Sequence, residues 1–489
     1  MSYIYNYRPN DFTDLGEAEL FAKMYHEKIR FCPGLGYIVY NGVFWEVNDS
    51  KAQLLMQQMT TCQMNEADDA VTKYIDLMNE RGITKKIACI GKNKAIDALS
   101  GDDAEIYSQY LQAKEYLKFT MLIRSSSRIE AALKQAKPII TIDPDELDKN
   151  PFYVNTPDDI CVVNNGFQFI EHTKHSPDAL LTKCTAVSPS LEGMNIWDQA
   201  LDVFFCGDKD LIDYTQQIVG MSIIGKVCME SLVIAYGSGK NGKSSFWNVI
   251  ARVLGTYAGN IAADVLTVQS GRNIMPELAE VKGKRLLIAS ELDEGTRLNT
   301  GTLKRLCSTD PIVAAKKYQQ PITFVPTHTL VMYTNHLPKV GARDDGTWRK
   351  LLVIPFNAKI DSDSEIRNYD DYLFEHAGGA ILTWILHGAA IAYSNDYKIV
   401  APAAVKNAIS DYRADNDWLM HFIDTCCDVG DTYRARAGEL YEIYRSYSAS
   451  VGDFIRTNAE FSNALVSAGY EKHKTKSGMV FIGLQNKST

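Results

Sequence analysis

The stretch Gly237-Ser238-Gly239-Lys240-Asn241-Gly242-Lys243-Ser244 restricts this chain more than any other, because it is a complete G-x-x-x-x-G-K-S. Glycines in such a loop allow the backbone to aim successive N–H groups at one point, and the following helix presents its positive end there. A phosphate chain is what that point attracts. The flanks agree: an apolar strand is expected over residues 231–236 and an apolar-periodic helix over 243–254. Lys243 is expected to neutralise the outer phosphates and Ser244 to ligate Mg2+, with Gly237, Gly239, Asn241, Gly242 and Ser245 completing the nucleotide-binding set.

A phosphate loop by itself names a class that includes kinases, GTPases and motors. Two later strands narrow it. Lys284 to Glu291 (KRLLIASE) is an apolar run ending in a carboxylate, the layout in which an acid holds the Mg2+ shell or polarises water. Leu330 to Asn335 (LVMYTN) ends in an amide able to orient that water. Taken singly, a strand-end Glu is a solvated carboxylate and a strand-end Asn a turn residue; their order after the loop favours the site reading. Further strands are expected at 312–315, 322–325 and 351–354, and a helix at 374–394.

At 489 residues the chain should hold two to four domains. Residues 11–30 have helical apolar spacing, 36–47 read as two strands around Asn41-Gly42, and 51–136 are polar and helix-like. The segment 143–166, with three prolines, marks loops and short strands, and a second small unit should end near Trp197. A helix is expected over 211–225, and residues 396–489 read as a separate helical unit ending in a hairpin at 470–482. Hydrophobic residues at 46% and charged residues at 23% are ordinary for a water-soluble protein. No run approaches the roughly 18 consecutive apolar residues of a membrane span, and the N-terminus lacks a signal pattern, so a cytoplasmic location, bacterial or host, is expected. The ten cysteines include no C-x-x-C pair and read as scattered thiols rather than a zinc site or disulfide framework. A net charge of −9 argues against a basic coat, yet leaves room for a small positive lining around nucleic acid.

The ordered segments GSGKNGKSSF, KGKRLLIASELDEG, LKRLCSTDPIVAAKKYQQPITFVPTHTLVMYTNHLP and GTWRKLLVIPF resemble the helicase half of phage, plasmid and poxvirus-type primase-helicases, the superfamily 3 (AAA+) helicases. The resemblance implies a multi-domain α/β chain. Its parts are an α+β N-terminal region (1–200), an AAA+ P-loop ATPase core (201–395) and a C-terminal winged-helix-like domain (396–489). It further implies an ATP-dependent DNA helicase that forms a homo-oligomeric ring, a hexamer, on single-stranded and forked DNA. ATP and Mg2+ are its cofactors, and a separate primase or polymerase is its partner. Lys243 and Ser244 then fall on Walker A, Glu291 on Walker B with the Mg2+, Asn335 on sensor 1, and Arg349 on the arginine finger. Two departures leave roles open: a single acid ends the strand, with Asp293 and Glu294 close behind, and Arg349 is followed by Lys350, which keeps Arg343 as a rival finger.

Residues 312–325, two apolar runs around a basic turn, read as a β-hairpin; the resemblance sets Lys316, Lys317 and Tyr318 against single-stranded DNA. The D-x-D Asp143-Pro-Asp145 sits in a turn-like stretch, so intrinsic primase activity is not expected. The competing reading of the whole chain is an ATP-dependent origin-binding initiator or scaffold without processive unwinding. A small-molecule kinase would leave Lys316-Lys317 and the C-terminal unit unexplained.

Overall fold

The computed structural model describes residues 3–90, 98–163, 171–268, 274–315, 321–340, 345–360, 366–475 and 478–487. Helix α1 (Asp14–Met24) is capped by the Thr13 hydroxyl, which accepts from the Gly16 N–H. An antiparallel sheet follows, β1 (Ile29–Cys32), β2 (Gly36–Tyr40) and β3 (Trp45–Val47). The helical spacing of 11–30 thus overshoots: Ile29 and Arg30 already pair with Val39 and Ile38. Then come α2 (Asp49–Glu80), α3 (Ile83–Ile90), α4 (Asp102–Ile123) and α5 (Ser126–Ile139). On α2, Ala52, Met56, Met59, Gln63, Ala67, Ala70, Tyr74 and Met78 recur at three- and four-residue spacing and are all buried, the stripe that packs a long helix lengthwise. A second small antiparallel sheet, β4 (Tyr153–Asn155), β5 (Ile160–Val162) and β6 (Glu171–Thr173), leads to α6 (Met194–Phe204) and α7 (Lys209–Met221).

Apart from one edge strand, Ala258–Ala262, the central sheet arises from apolar runs that lack the alternation of a one-faced strand and so need cover on both sides. Its members are β7 (Leu232–Tyr236), β8 (Ala258–Ala262), β9 (Leu286–Ser290), β12 (Thr329–Thr334) and β13 (Leu351–Pro355). Between them lie α8 (Lys243–Leu254), α9 (Met275–Glu280), α10 (Thr300–Leu306), a hairpin of β10 (Ile312–Ala314) and β11 (Ile322–Phe324), and α11 (Asp345–Trp348). The strand order is β13-β7-β12-β9-β8, with every neighbouring pair parallel. Successive residues of each strand serve opposite faces. Val233, Ala235, Ile288 and Val331 join Phe246, Ile381 and Ile385 on one side, whereas Leu232, Ile234, Leu287 and Met332 join Leu303 and Leu306 on the other.

The first face is covered by α7, α8 and α12 (Tyr369–Ser394). Helix α7 meets α12 backbone to backbone: a Cβ on Gly220 would lie 2.2 Å from Ala389 N, and one on Gly388 would lie 2.2 Å from Gln216 O. Helix α12 is long and apolar enough to cross a membrane, although it holds no unbroken run of apolar residues of that length, and most of it is packed inside the protein. Helix α6 crosses residue 200, and its Trp197 stacks on Phe246 at 5.8 Å within the same core. Likewise α13 (Ala403–Asp415) sends Tyr412 into the core of the opposite face.

The rest of the chain is α14 (Trp418–Cys426), β14 (Cys427–Arg436), α15 (Ala437–Ser450), α16 (Asn458–Ser467), β15 (Lys472–Thr475) and β16 (Gly478–Asn486). Three helices pack on an antiparallel sheet of order β14-β16-β15 around Phe422, Leu440, Tyr444, Phe461 and Phe481. Thr457 and Glu460 close a capping box at the start of α16.

Candidate functional site

The site lies where the parallel strands end. At the carboxyl edge of such a sheet the strands stop, their loops diverge, and helix N-termini converge on the crevice between them. The register fixes who meets there: Tyr236 is level with Thr334, and Ser290 with Tyr333. The residues that follow, Gly237, Asn335 and Glu291, therefore emerge side by side.

Gly237 has no room for a side chain, since a Cβ would meet Asn241 Nδ2 at 2.1 Å and the Phe356 carbonyl at 2.3 Å. Gly242, at φ +78°, caps α8 with its α-carbon under the Phe204 ring, where a Cβ would lie 2.3 Å from Cδ1. Gly239, at φ +100°, faces open space. Lys240 also lies in the left-handed region, at φ 45°, and its carbonyl accepts from the Ile360 N–H at 3.0 Å. Asn241, buried, donates from Nδ2 to the Phe356 carbonyl at 3.1 Å. The segment after β13 thus braces the loop from outside, a support that the phosphate-loop motif alone does not reveal.

Lys243 is 6% exposed, and its ammonium points back into the loop. It donates to the Gly237 carbonyl at 3.1 Å, Asn241 Oδ1 at 3.4 Å and Asn335 Oδ1 at 2.5 Å. Burial lowers its pKa, and the Glu291 charge works against that shift. The three acceptors around this buried ammonium are all neutral oxygens, and an anionic acceptor would form stronger, charge-assisted bonds to it. Ser244, the first-turn hydroxyl, is exposed and Ser245 half-buried, so the hydroxyl expected to ligate Mg2+ is open to the crevice.

Glu291 is exposed at the end of β9, with a left-handed backbone (φ 44°) and its N–H donating to the Tyr333 carbonyl at 3.1 Å. A non-glycine residue held there stores on the order of 1–3 kcal/mol, and such strain clusters at functional sites. Among the three acids left open by the sequence, Glu291 is the one whose charge reaches Lys243. Asp293 sits in the next turn, its carbonyl accepting from the Thr296 N–H and hydroxyl.

Arg349 is not part of this crevice. It is exposed and stands two residues before β13, whose Leu351 is level with Leu232 and Pro355 with Tyr236. The length of the sheet, roughly 15 Å at the usual rise per residue, separates Arg349 from the loop of its own chain. Its rival Arg343, and the hairpin-tip residues Lys316, Lys317 and Tyr318, lie outside the described residues. The arms of that hairpin are described: Ile312 faces Phe324 and Ala314 faces Ile322. Lys284, just before β9, donates to the carbonyls of Thr256 (3.0 Å) and Ala258 (2.7 Å). Asp143 caps the short turn Pro144–Glu146, accepting from the Asp145 N–H at 2.9 Å.

The loops leaving β9 and β12 are joined. The Lys339 N–H donates to the Thr296 carbonyl at 2.7 Å, and the Leu298 N–H to the Lys339 carbonyl at 2.9 Å. From there three bonds reach the C-terminal helices: the Tyr412 hydroxyl donates to the Pro338 carbonyl, Lys339 pairs with Asp453 at 3.1 Å, and the Val340 N–H donates to Asn416 Oδ1 at 2.8 Å.

Residues 18–206, from α1 to just past α6, match a family model described as D5 N terminal like. Residues 235–350, which hold the whole crevice, match one described as a family of unknown function, DUF5906. Over 160 residues the chain is 34% identical to the protein "Putative helicase L207/L206" of Acanthamoeba polyphaga mimivirus, a match covering 32% of this chain and 17% of that protein. Two further viral proteins are similar to it. "Putative helicase 022R" of Frog virus 3 is 23% identical over 236 residues, 44% of this chain and 24% of that protein. "Putative primase C962R" of African swine fever virus (isolate Warthog/Namibia/Wart80/1980) is 26% identical over 212 residues, 40% of this chain and 22% of that protein. The matched stretch thus spans between 17% and 24% of the length of these relatives.

Proposed function

We propose that this chain is an ATP-dependent DNA helicase of the superfamily 3 (AAA+) class, which assembles as a ring and unwinds DNA in the replication of a phage or other mobile element. The observation that carries this reading is the division of charged groups between the two ends of the central sheet. Lys243, Asn335 and Glu291 share the carboxyl edge, and Arg349 stands at the other. An active site with that division is completed by a second copy, because a cation at the far edge serves only a neighbour's nucleotide. The names borne by the viral relatives support the replication setting.

In this reading the loop N–H groups and Lys243 bind the phosphates, and Ser244 and Glu291 would hold Mg2+, which would supply charge to screen the phosphate oxygens. Glu291 takes up the proton of the attacking water, and Asn335 orients that water once phosphate oxygens have drawn Lys243 away. The arginine of the adjacent subunit meets the charge that grows on the γ-phosphate. The hairpin tip grips single-stranded DNA, and the C-terminal helices with their antiparallel sheet serve as a winged-helix-like module.

The test is strand displacement on a forked duplex, run with ATP and with a non-hydrolysable analogue, alongside particle imaging with ATP and DNA. Displacement that depends on hydrolysis, by a six-fold ring, is the expected result. Binding of DNA with ATP turnover but no displacement would instead identify an initiator or scaffold.

A further inference from the structure

Away from the crevice, the small β4–β6 sheet brings three side chains of metal-binding type together. Cys161 and His172 are a directly opposed cross-strand pair of β5 and β6, and Asp159 lies two residues before Cys161, on the same face of the strand. One donor atom from each lies within 4.8 Å of the others. Cys161 Sγ is 3.8 Å from His172 Nδ1 and 3.7 Å from Asp159 Oδ1, and His172 Nδ1 is 2.7 Å from Asp159 Oδ2. We propose that Asp159, Cys161 and His172 form a binding site for a divalent transition metal of the Zn2+ type, one that ties β6 to β5.

The spacing suits the ion. Tetrahedral Zn2+ with one thiolate, one imidazole and one carboxylate places its donors roughly 3.3–3.6 Å apart. The two sulfur separations are already close to that. The shorter N···O contact is a hydrogen bond; its proton would pass to His172 Nε2, the other ring tautomer, leaving Nδ1 and the carboxylate free for the ion and letting the pair open.

A thiol, an imidazole and a carboxylate in contact also describe a nucleophilic triad, and the geometry argues against one. A triad uses both ring nitrogens, one toward the carboxylate and the other toward the nucleophile. Here Nδ1 faces Asp159 and Cys161 alike, as a shared ion requires. The thiol is fully buried, out of reach of a substrate that a nucleophile would have to attack.

The surroundings hold the donors in place. The Thr156 hydroxyl, itself buried, donates to Asp159 Oδ1 at 3.1 Å, and the Thr156 carbonyl is met by His175 Nε2 at 2.9 Å. Outer contacts of this kind fix the direction of a metal-binding carboxylate. His172 is half exposed, so the fourth position opens to water. Cys161 belongs to the central core while all three residues of β6 are exposed, so the ion would fasten an outlying strand to the interior. Binding exchanges the Cys161 thiol proton, released to solvent, for the metal, so affinity should rise with pH.

The experiment uses the full chain, reduced and stripped with a chelator, titrated with Co2+ and back-titrated with Zn2+. Expected are tetrahedral d–d bands with a thiolate-to-cobalt charge-transfer band, saturating at a single equivalent and erased by Zn2+. Cys161→Ser should remove the charge-transfer band. His172→Gln and Asp159→Asn should keep it while weakening Co2+ binding by at least about tenfold. A wild-type chain without the charge-transfer band overturns the proposal, as does a band that persists in folded Cys161→Ser. Should Cys161→Ser fail to fold by circular dichroism, His172→Gln decides alone, since its side chain is half exposed: unchanged affinity there overturns the site.

Discussion

The ammonium of Lys243, at the start of α8, donates to the side-chain oxygen of Asn335, at the end of β12, across 2.5 Å. Two motifs separated by most of the core are therefore one hydrogen-bonded unit before nucleotide arrives. Removing the cation and removing its acceptor should differ. Lys243→Ala should abolish ATP hydrolysis and weaken ATP binding, because a buried cation at the phosphates has no substitute. Asn335→Ala should leave ATP binding within a few-fold and lower kcat by about 10²-fold. Steady-state kinetics with a fluorescent-nucleotide binding assay separates the two, and a wild-type kcat in Asn335→Ala removes the amide from the chemistry.

Glu291→Gln should bind ATP and fail to turn it over, whereas Asp293→Asn and Glu294→Gln should retain most activity. Only Glu291 among these acids has its charge acting on Lys243. Single-turnover hydrolysis checks the ranking; a greater loss from Asp293→Asn would move the water-activating role into the following turn.

Arg349→Ala should be inactive as a homogeneous preparation, with a loss on the order of 10³-fold or more. Mixed with inactive Lys243→Ala subunits, it should regain activity, since some interfaces then join an intact loop to an intact arginine. ATPase rates across mixing ratios should pass through a maximum. A flat line at zero, with assembly intact, would point to Arg343 instead.

Replacing Lys316 and Lys317 together by alanine should weaken single-stranded DNA binding and flatten its dependence on salt by about 0.7 in log–log slope per lost phosphate contact. Unwinding should fall much further than DNA-free ATP hydrolysis. Titrations at several salt concentrations provide the measurement, and an unchanged slope would move the grip elsewhere.

Glu17 on α1 is fully buried; its Oε2 accepts from Gln63 Nε2 at 2.9 Å and its Oε1 has no partner among the described residues. Burial raises its pKa from 4.5 to about 7. The folded state thus keeps a proton that the unfolded chain releases, so this contribution to stability is complete below pH 4.5 and is lost as pH rises through 7. At about 1.4 kcal/mol per unit, the loss is on the order of 3 kcal/mol. Glu17→Gln, neutral at every pH, should be more stable than wild type at pH 8 and nearly equal to it at pH 5. Urea unfolding at both values tests this, and equal midpoints at pH 8 would show that folding does not raise the Glu17 pKa.

What could be read in advance was governed by how local the signal was. The strands LVIAY, LLIAS and LVMYT announce themselves because doubly covered strands are apolar throughout, and the structure brings the residues that follow them, Gly237, Glu291 and Asn335, to one edge of the sheet. Strand β8 escaped notice: AGNIA carries a glycine and an asparagine and is a strand only because Ala258–Ala262 pairs alongside Leu286–Ser290. Strand β1 was absorbed into a helix because Ile29 also fits the apolar spacing of α1. At the site, Lys243 and Glu291 follow from motif order, but the brace from Phe356 to Asn241 depends on two loops meeting in space. The pairing of Cys161 with His172 depends equally on strand register, which no spacing in the chain encodes.

The bonds at Pro338, Lys339 and Val340 have a mechanical consequence. They clip the segment after Asn335 to the one after Glu291, and clip both to Tyr412, Asn416 and Asp453. The C-terminal helices cannot swivel without either breaking these clips or tugging on both strand ends together. Torque applied far from the crevice is thereby delivered to its floor, and a rearrangement at the floor is delivered outward along the same linkage.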